Sequence, residues 1–151
     1  MKMKRPSISE VIKTEIVCPN DANPMGILQG GKLVQWMDIA AAVCAQNHSE
    51  HIAVTASIDN VSFKRPAKIG DVIIIKANIT RAFNTSMEIF TEAFVKSLHS
   101  ATPQLINEAY FTFVVPELKE NFSLPQVDPE TKLEVERYEK ALENKLKKTL
   151  K

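Results

Sequence analysis

Neither sign of charge dominates this chain. Its 151 residues carry 19 Lys and Arg against 18 Asp and Glu, a formal charge of +1. That balance argues against a broad nucleic-acid or membrane-binding surface, either of which needs a basic excess. Phosphate recognition would then have to come from a few local basic residues. Cysteine is scarce. Cys18 and Cys44 are the two, too few for a disulfide framework, so a reducing cytosol is the expected setting. No run approaches ~18 apolar residues, which excludes a transmembrane helix. The basic start, MKMKRPSISE, has no apolar region behind it and is not expected to be a signal peptide. Internal repeats and low-complexity segments are also missing. What remains, 44% hydrophobic and 25% charged, is ordinary for one soluble, cytoplasmic domain with a genuine core.

The stretch from Asn23 to His48 organises the rest. Asn23-Pro24 and Gly26 form turns, Gly30-Gly31 follow, and a helix is expected from Gly30 to about His48, apolar almost all the way round. A helix of that kind is buried in a core. It carries one carboxylate, Asp38, between Trp36-Met37 and Ile39-Ala40-Ala41-Ala42-Val43. A buried charge costs several kcal/mol unless something pairs with it or uses it.

Around this helix the pattern is β. Residues 8–17 make a first strand. Residues 54–63 alternate with Thr55, Ser57 and Asp59 on one side and Val54, Ala56 and Ile58 on the other. Strands at 72–82, 86–97 and 105–115 show the same period of two. Short connections predict antiparallel hairpins, a four-strand meander joined by the first strand. Asp128-Pro129-Glu130 predicts the N-cap of a second helix, 129–151, with Val135, Tyr138, Leu142 and Leu146 as a thin docking stripe. The fold class is thus α+β: a single domain over 1–128 with a charged helix, 129–151, appended.

Two features carry chemistry. Gly30-Gly31 at a helix start lets a substrate approach unpaired backbone N–H groups, which favour a developing negative oxygen. Asp38 lies seven residues beyond Gly31, two turns along one face and ~10 Å away. That is too far for both to act on one carbonyl. A second copy of the helix, antiparallel across a twofold axis, brings Asp38 of one chain near Gly31 of the other, and the small residues Ala40-Ala41-Ala42 and Ala45 permit close approach.

The pattern N-x-x-G-x-L-x-G-G-x-L-x-x-W-M-D-x-A-A, from Asn23 to Ala41, resembles the hotdog-fold acyl-CoA thioester hydrolases of the YciA and cytosolic (brain) acyl-CoA hydrolase type. So do VTASID (54–59), Phe63, Pro66, Gly70 and Asp71, N-T-S-M-E (84–88), FTFV (111–114) and P-E-T (129–131). The likeness runs in order over nearly the whole chain. It implies a long helix wrapped by an antiparallel sheet of about five strands, a homodimer formed through the sheet, and homohexamers built as trimers of dimers. It also implies hydrolysis of a fatty acyl-CoA to free acid and coenzyme A, with Asp38 and Asn23 as the catalytic pair meeting across the dimer. Asp38 acts as general base or as nucleophile; Gly30 or Gly31 N–H polarises the carbonyl. The family commonly has His before the glycine pair, and here Gln29 stands there, which cannot carry a proton charge.

Lys64, Arg65 and Lys68 cluster after the 54–63 strand, and an Arg suits bidentate phosphate contact. Thr85 and Ser86 are candidate donors to the pantetheine arm or a phosphate. No cofactor is expected beyond coenzyme A within substrate and product, and no metal: His48 and His51 straddle a helix end without a third ligand. Cys44 has no adjacent base and is expected to be a core residue, as is Trp36. The rival reading is a non-catalytic acyl-CoA or nucleotide-binding module of the same fold, which has no need of a buried Asp38. A dehydratase would need a His paired with an acid in the central segment, which has none.

Overall fold

The computed structural model describes residues 2–149. In chain order it contains β1 (Met3–Lys4), α1 (Pro6–Ser9), β2 (Val11–Ile16), a 3-10 turn (Pro19–Asp21), α2 (Gly30–Ser49), β3 (Val54–Phe63), β4 (Val72–Ala82), β5 (Ser86–Lys96), β6 (Gln104–Val114), β7 (Gln126–Val127) and α3 (Lys132–Thr149). Five strands form one antiparallel sheet in the order β2-β4-β5-β6-β3. The expected hairpins hold for β4, β5 and β6. They fail for β3, which pairs with the distant β6 and not with its successor. Pro66 cannot donate to a ladder and favours a turn, and the segment 64–71 carries the chain from one edge of the sheet towards the other.

Alternation in the strands sets the core. Ile73, Ile75, Ala77 and Ile79 of β4, Met87, Ile89 and Ala93 of β5, and Ala109, Phe111 and Phe113 of β6 are fully buried. With a period of two they line one face, and α2 lies against it through Leu33, Trp36, Met37, Ala40, Ala41, Cys44 and Ala45. Each large side chain so covered contributes about 1.5–3 kcal/mol. The alanines let the helix sit close to the pleat.

The sequence expectation for α2 needs one correction. It is buried along one face, not all round. Ile39 and Val43 are 45% and 41% exposed, and Asp38 is half-buried, so in one chain the carboxylate is not sealed in the core. The helix ends at Glu50, which takes the left-handed conformation (φ 59°) and donates its N–H to Gln46 O at 2.8 Å. Lys4 Nζ then donates to Asn47 O (3.3 Å) and His48 O (2.9 Å), a cation at the negative end of the dipole. The buried His48 bonds Pro125 O through Nε2 at 2.7 Å. A carbonyl only accepts, so Nε2 carries the proton, and burial holds the ring's pKa below its usual value. Parallel pairing of β1 with β7 completes this tether.

The two ends of the chain differ from expectation in instructive ways. Ile8 and Ser9 belong to the short α1, which Pro6 starts, so the first strand begins at Val11 and not at residue 8. α3 begins at Lys132 and not at 129; its true cap is Thr131, whose Oγ1 accepts from Glu134 N (3.1 Å) while Glu134 Oε1 accepts from Thr131 N (3.1 Å). This reciprocal box outweighs the Asp-Pro-Glu signal three residues earlier. The docked face of α3 is also not the expected stripe. Val135, Leu142 and Leu146 are exposed, while Ala141 and Asn144 are buried and Tyr138 is half-buried. That face covers the outer side of the sheet.

Polar contacts explain the choice. Asn144 Nδ2 donates to Glu88 Oε2 (3.2 Å), Thr80 Oγ1 donates to Glu88 Oε1 (2.7 Å), and Lys148 Nζ donates to Ser57 and Thr112 and pairs with Asp59. Arg137 pairs with Glu92 at 3.2 Å and lies over the Phe90 ring. Glu88 is 5% exposed, and burial raises its carboxyl above the ordinary range although Thr80, Asn144 and Lys148 oppose the shift. A raised folded-state pKa stabilises below the ordinary carboxyl value, and that contribution is lost as pH climbs through the raised one. Glu88→Gln should therefore melt increasingly above the wild type as pH rises above the ordinary Glu pKa of about 4.3. A constant difference across thermal melts in that range would contradict the linkage.

Candidate active site

The segment that enters α2 is held by its own side chains. Asn23 Oδ1 accepts from Met25 N (2.9 Å) and Ile27 N (3.1 Å), and Asn23 N donates to Ile27 O (2.8 Å). Gly26 closes this loop at φ 76°, a conformation that costs glycine little. Leu28 bridges back to Ala22 and Ile27 to Lys68. Asn23 is thus exposed yet positioned, with its amide nitrogen donating to nothing among the described residues.

Gln29 is the N-cap of α2 but supplies no side-chain cap. Its Nε2 donates to Ala22 O at 3.2 Å. The first intrahelical bond is Leu33 N to Gln29 O, which leaves the N–H groups of Gly30, Gly31 and Lys32 without an intrahelical partner. The two glycines differ. A Cβ at Gly30 would come within 3.1 Å of the Phe63 ring, whereas one at Gly31 would meet nothing within 4 Å. Gly30 lets Phe63 lie against the helix start; Gly31 faces open space.

Asp38 has a partner that the sequence expectation did not include. Thr55 Oγ1 donates to Asp38 Oδ1 at 2.7 Å. The alternation placed Thr55 with Ser57 and Asp59, but the β3–β6 register shifts between Thr55 and Ser57. Thr55 pairs with the buried Phe113, and Ser57 pairs with Thr112 on the other face. The extra residue, Ala56, is a bulge that turns Thr55 inward to α2 while Ser57 and Asp59 stay beneath α3. A bulge leaves no mark in a period-two reading. The only sequence signal was that Thr55 stands inside the VTASID segment.

The other candidates fall at two ends of the sheet. Lys64 and Arg65 follow Phe63, which pairs with Asn107; with Gly30 they line a cavity of ≈320 Å³. Arg65 Nη1 donates to Gln104 Oε1 (3.0 Å) and Lys64 lies 3.7 Å from Glu108. Lys68 is exposed and outside that cavity. Thr85 and Ser86 lie at the opposite end, in the row Ser86–Val114–Val54 next to Thr55. One chain therefore gathers Gly30 with Lys64 and Arg65, and Asp38 with Thr55. Asn23 bonds only within its own loop and does not bond Asp38. Among the described residues no group of His, Cys, Asp and Glu is arranged to hold a metal. Burial pushes the Cys44 thiol up to about 12, so it is inert as a nucleophile.

A model of the thioesterase superfamily matches residues 25–101. The acetyl-coenzyme A thioesterase of Rattus norvegicus is 38% identical over 126 residues; the match covers 83% of this chain but 23% of that protein, so the chain spans about a quarter of its length. The uncharacterized acyl-CoA thioester hydrolase YkhA of Bacillus subtilis is 33% identical over 128 residues, covering 84% of this chain and 74% of that one. Among solved structures, an acyl-CoA hydrolase from Staphylococcus aureus in complex with butyryl coenzyme A, coenzyme A and coenzyme A disulfide superposes at a TM-score of 0.89, with 30% identity over 98% of this chain and 91% of that one. That hydrolase is also described with single aspartate, threonine and asparagine residues replaced by alanine. A hexameric acyl-CoA thioesterase superposes at 0.91 with 32% identity, covering 99% and 96% of the two chains.

The contrast between the two glycines is testable by thermal melting. Gly31→Ala should leave the midpoint unchanged or raise it, since the exchange gains at most about 1 kcal/mol in a helix. Gly30→Ala should show no gain, and its structure should show the Phe63 ring displaced.

Proposed function

The chain belongs to the thioesterase superfamily, and from that membership we propose that it hydrolyses acyl-CoA thioesters to a carboxylic acid and coenzyme A. The observation that carries this reading is the carboxylate of Asp38, held from one side by Thr55 at 2.7 Å and half-exposed on the helix that begins with Gly30-Gly31. Thr55 engages Oδ1 and leaves Oδ2 for the reaction. Asp38 takes a proton from a water, the water oxygen bonds to the thioester carbon, and the carbonyl oxygen becomes an oxyanion. An amide of Gly30 or Gly31 stabilises that charge, a contribution of about 3 kcal/mol for one such donor. The carbon–sulfur bond then breaks and the departing thiolate recovers the proton from Asp38. No cofactor enters these steps; coenzyme A is part of the substrate and the product.

Residue spacing adds support. The asparagine, aspartate and threonine replaced in the Staphylococcus aureus hydrolase stand at the same intervals as Asn23, Asp38 and Thr55, 15 and then 17 residues apart. We assign Asn23 to position the water or the thioester carbonyl, and Lys64, Arg65, Thr85 and Ser86 to the coenzyme A moiety.

The minimal unit in this reading is a homodimer. β3 lies at the end of the sheet with one edge free, and Val54, Ile58, Val61 and Phe63 on it are exposed, beside the exposed Ile39 and Val43 of α2. Pairing two such edges about a twofold axis covers both sets and brings the partner subunit's Asn23 towards Asp38. Assembly of three dimers into a hexamer follows the hexameric neighbour. Among the described residues no helix is long and apolar enough to cross a membrane, and we place the enzyme in the cytoplasm, where Cys18 and Cys44 stay reduced.

Asp38→Asn should abolish release of coenzyme A thiol from acyl-CoA while the protein stays folded; full activity would overturn the assignment. Thr55→Val, which keeps the shape and removes the donor, should lower kcat by ten- to a hundredfold, roughly 1.4–2.7 kcal/mol of barrier. Mixing Asn23→Ala and Asp38→Asn chains should restore one of the two sites in each heterodimer, about a quarter of all sites after random pairing and mass action. No recovery after verified subunit exchange would sink the shared site.

A further inference from the structure

Strands of two residues are too short to hold one another, so the pairing of β1 with β7 depends on side chains. Its backbone bonds run from Gln126 N to Lys2 O and from Asp128 N to Lys4 O, both 2.9 Å. Leu124 and Val127 are buried beside it. From β1, Lys4 Nζ reaches the last carbonyls of α2 and the Glu50 carboxylate, which Lys2 also meets, each ion pair at 3.2 Å. From the β7 side, Pro125 O accepts from His48 Nε2. His48 is fully buried, and its Nδ1 has no hydrogen-bond partner among the described residues. Such a ring fits its site only while neutral. A second proton would sit on Nδ1, where the new N–H finds no acceptor, and the cation would share the site with the ammonium of Lys4.

The ionisable groups around the ring do not offset that charge. Cys44, one turn back on α2, is a neutral buried thiol. Glu50 is already shared by Lys2 and Lys4. Neither α1 nor the segment 121–127 contains an ionisable side chain. Beyond that segment Asp128 is exposed and Glu130 pairs with Arg5. On β4, Lys76 is exposed and Arg81 is turned to Tyr138. His51 bonds Ser49 O through Nδ1 at 2.9 Å and lays its ring against Phe122. We propose that His48 is a proton-operated latch: neutral, it pins the β1–β7 clamp across the end of α2; protonated, it releases residues 124–127 from the helix. Acid is the trigger. The open form carries an exposed imidazole of ordinary pKa, about 6.5, while burial and Lys4 hold that of the closed form below it. The open form therefore binds more protons. The closed form loses ground as pH falls below about 6.5, by at most about tenfold per pH unit. Glu50 keeps its charge over this range, because Lys2 and Lys4 hold its carboxyl below the ordinary value. Release uncovers Leu124 and Val127 and loosens the connection from β6 to α3 while the five-stranded sheet stays intact.

Hydrogen exchange at the amides of Gln126 and Asp128, corrected for intrinsic rates, tests the latch between about pH 7.5 and about pH 5. Their protection should be lower than that of Ile75 and Ile89 in the central strands. It should be flat above about pH 6.5 and fall by up to about tenfold per unit below it. In His48→Gln, whose amide can still donate to Pro125 O but takes up no proton, the profile should stay flat throughout. His51→Gln should keep the wild-type fall, and it remains informative if His48→Gln does not fold. A flat wild-type profile overturns the latch, as does an unchanged fall in His48→Gln. Loss of the fall in His51→Gln rejects His48 as the switch. Protection equal to that of Ile75 and Ile89 would mean that the clamp opens only when the whole protein unfolds, which also overturns the proposal.

Discussion

The seating of α2 on the inner face of the sheet is the constraint from which everything else follows. Alanines at 40, 41 and 45 let the helix backbone approach the isoleucine and phenylalanine rows of β4, β5 and β6. Once the helix lies there, its N-terminus is brought against Phe63 and its middle against Thr55. The sheet is therefore more than a cover for an apolar helix. β3 crosses α2 along its length and meets it at two points, at Gly30 through the Phe63 ring and at Asp38 through Thr55. A shift of α2 by one turn, about 5.4 Å, would break both contacts together.

Much of this arrangement was legible in the residues. The period-two rows of β4, β5 and β6 and the extent of α2 followed from patterning, because local hydrophobic alternation is also what the core uses. Sheet order did not follow. The pairing of β3 with β6 joins segments some fifty residues apart, and no local signal encodes such a partner. The bulge at Ala56 was hidden for a related reason: one extra residue reverses which side chains face inward, and period-two reading has no place for it. Thr55 was lost with it. The half-burial of Asp38 was misjudged because every neighbour of Asp38 in sequence is apolar, while burial depends on neighbours in space.

α3 shows a different kind of misreading. Its apolar residues were the natural choice for a docking face, yet Ala141, Asn144, Tyr138 and Lys148 face the sheet. The outer face of β5 and β6 carries Glu88, Tyr110 and Thr112, and a polar surface selects a polar partner helix. Burying Glu88 has a cost, visible in its raised pKa, and the donors from Thr80 and Asn144 offset part of it. That network fixes α3 in one register, and register decides where its lysines stand. A helix held by apolar contacts alone would tolerate sliding; one held by specific hydrogen bonds does not.

The free edge of β3 has a consequence for the life of the newly made chain. An uncovered strand with apolar side chains is a template to which any other extended segment can add. In a dilute or half-folded population such an edge can recruit the wrong strand and begin a precipitate. If the proposed dimer closes it, partners must find one another soon after synthesis, folding and association become one process, and stability then depends on protein concentration.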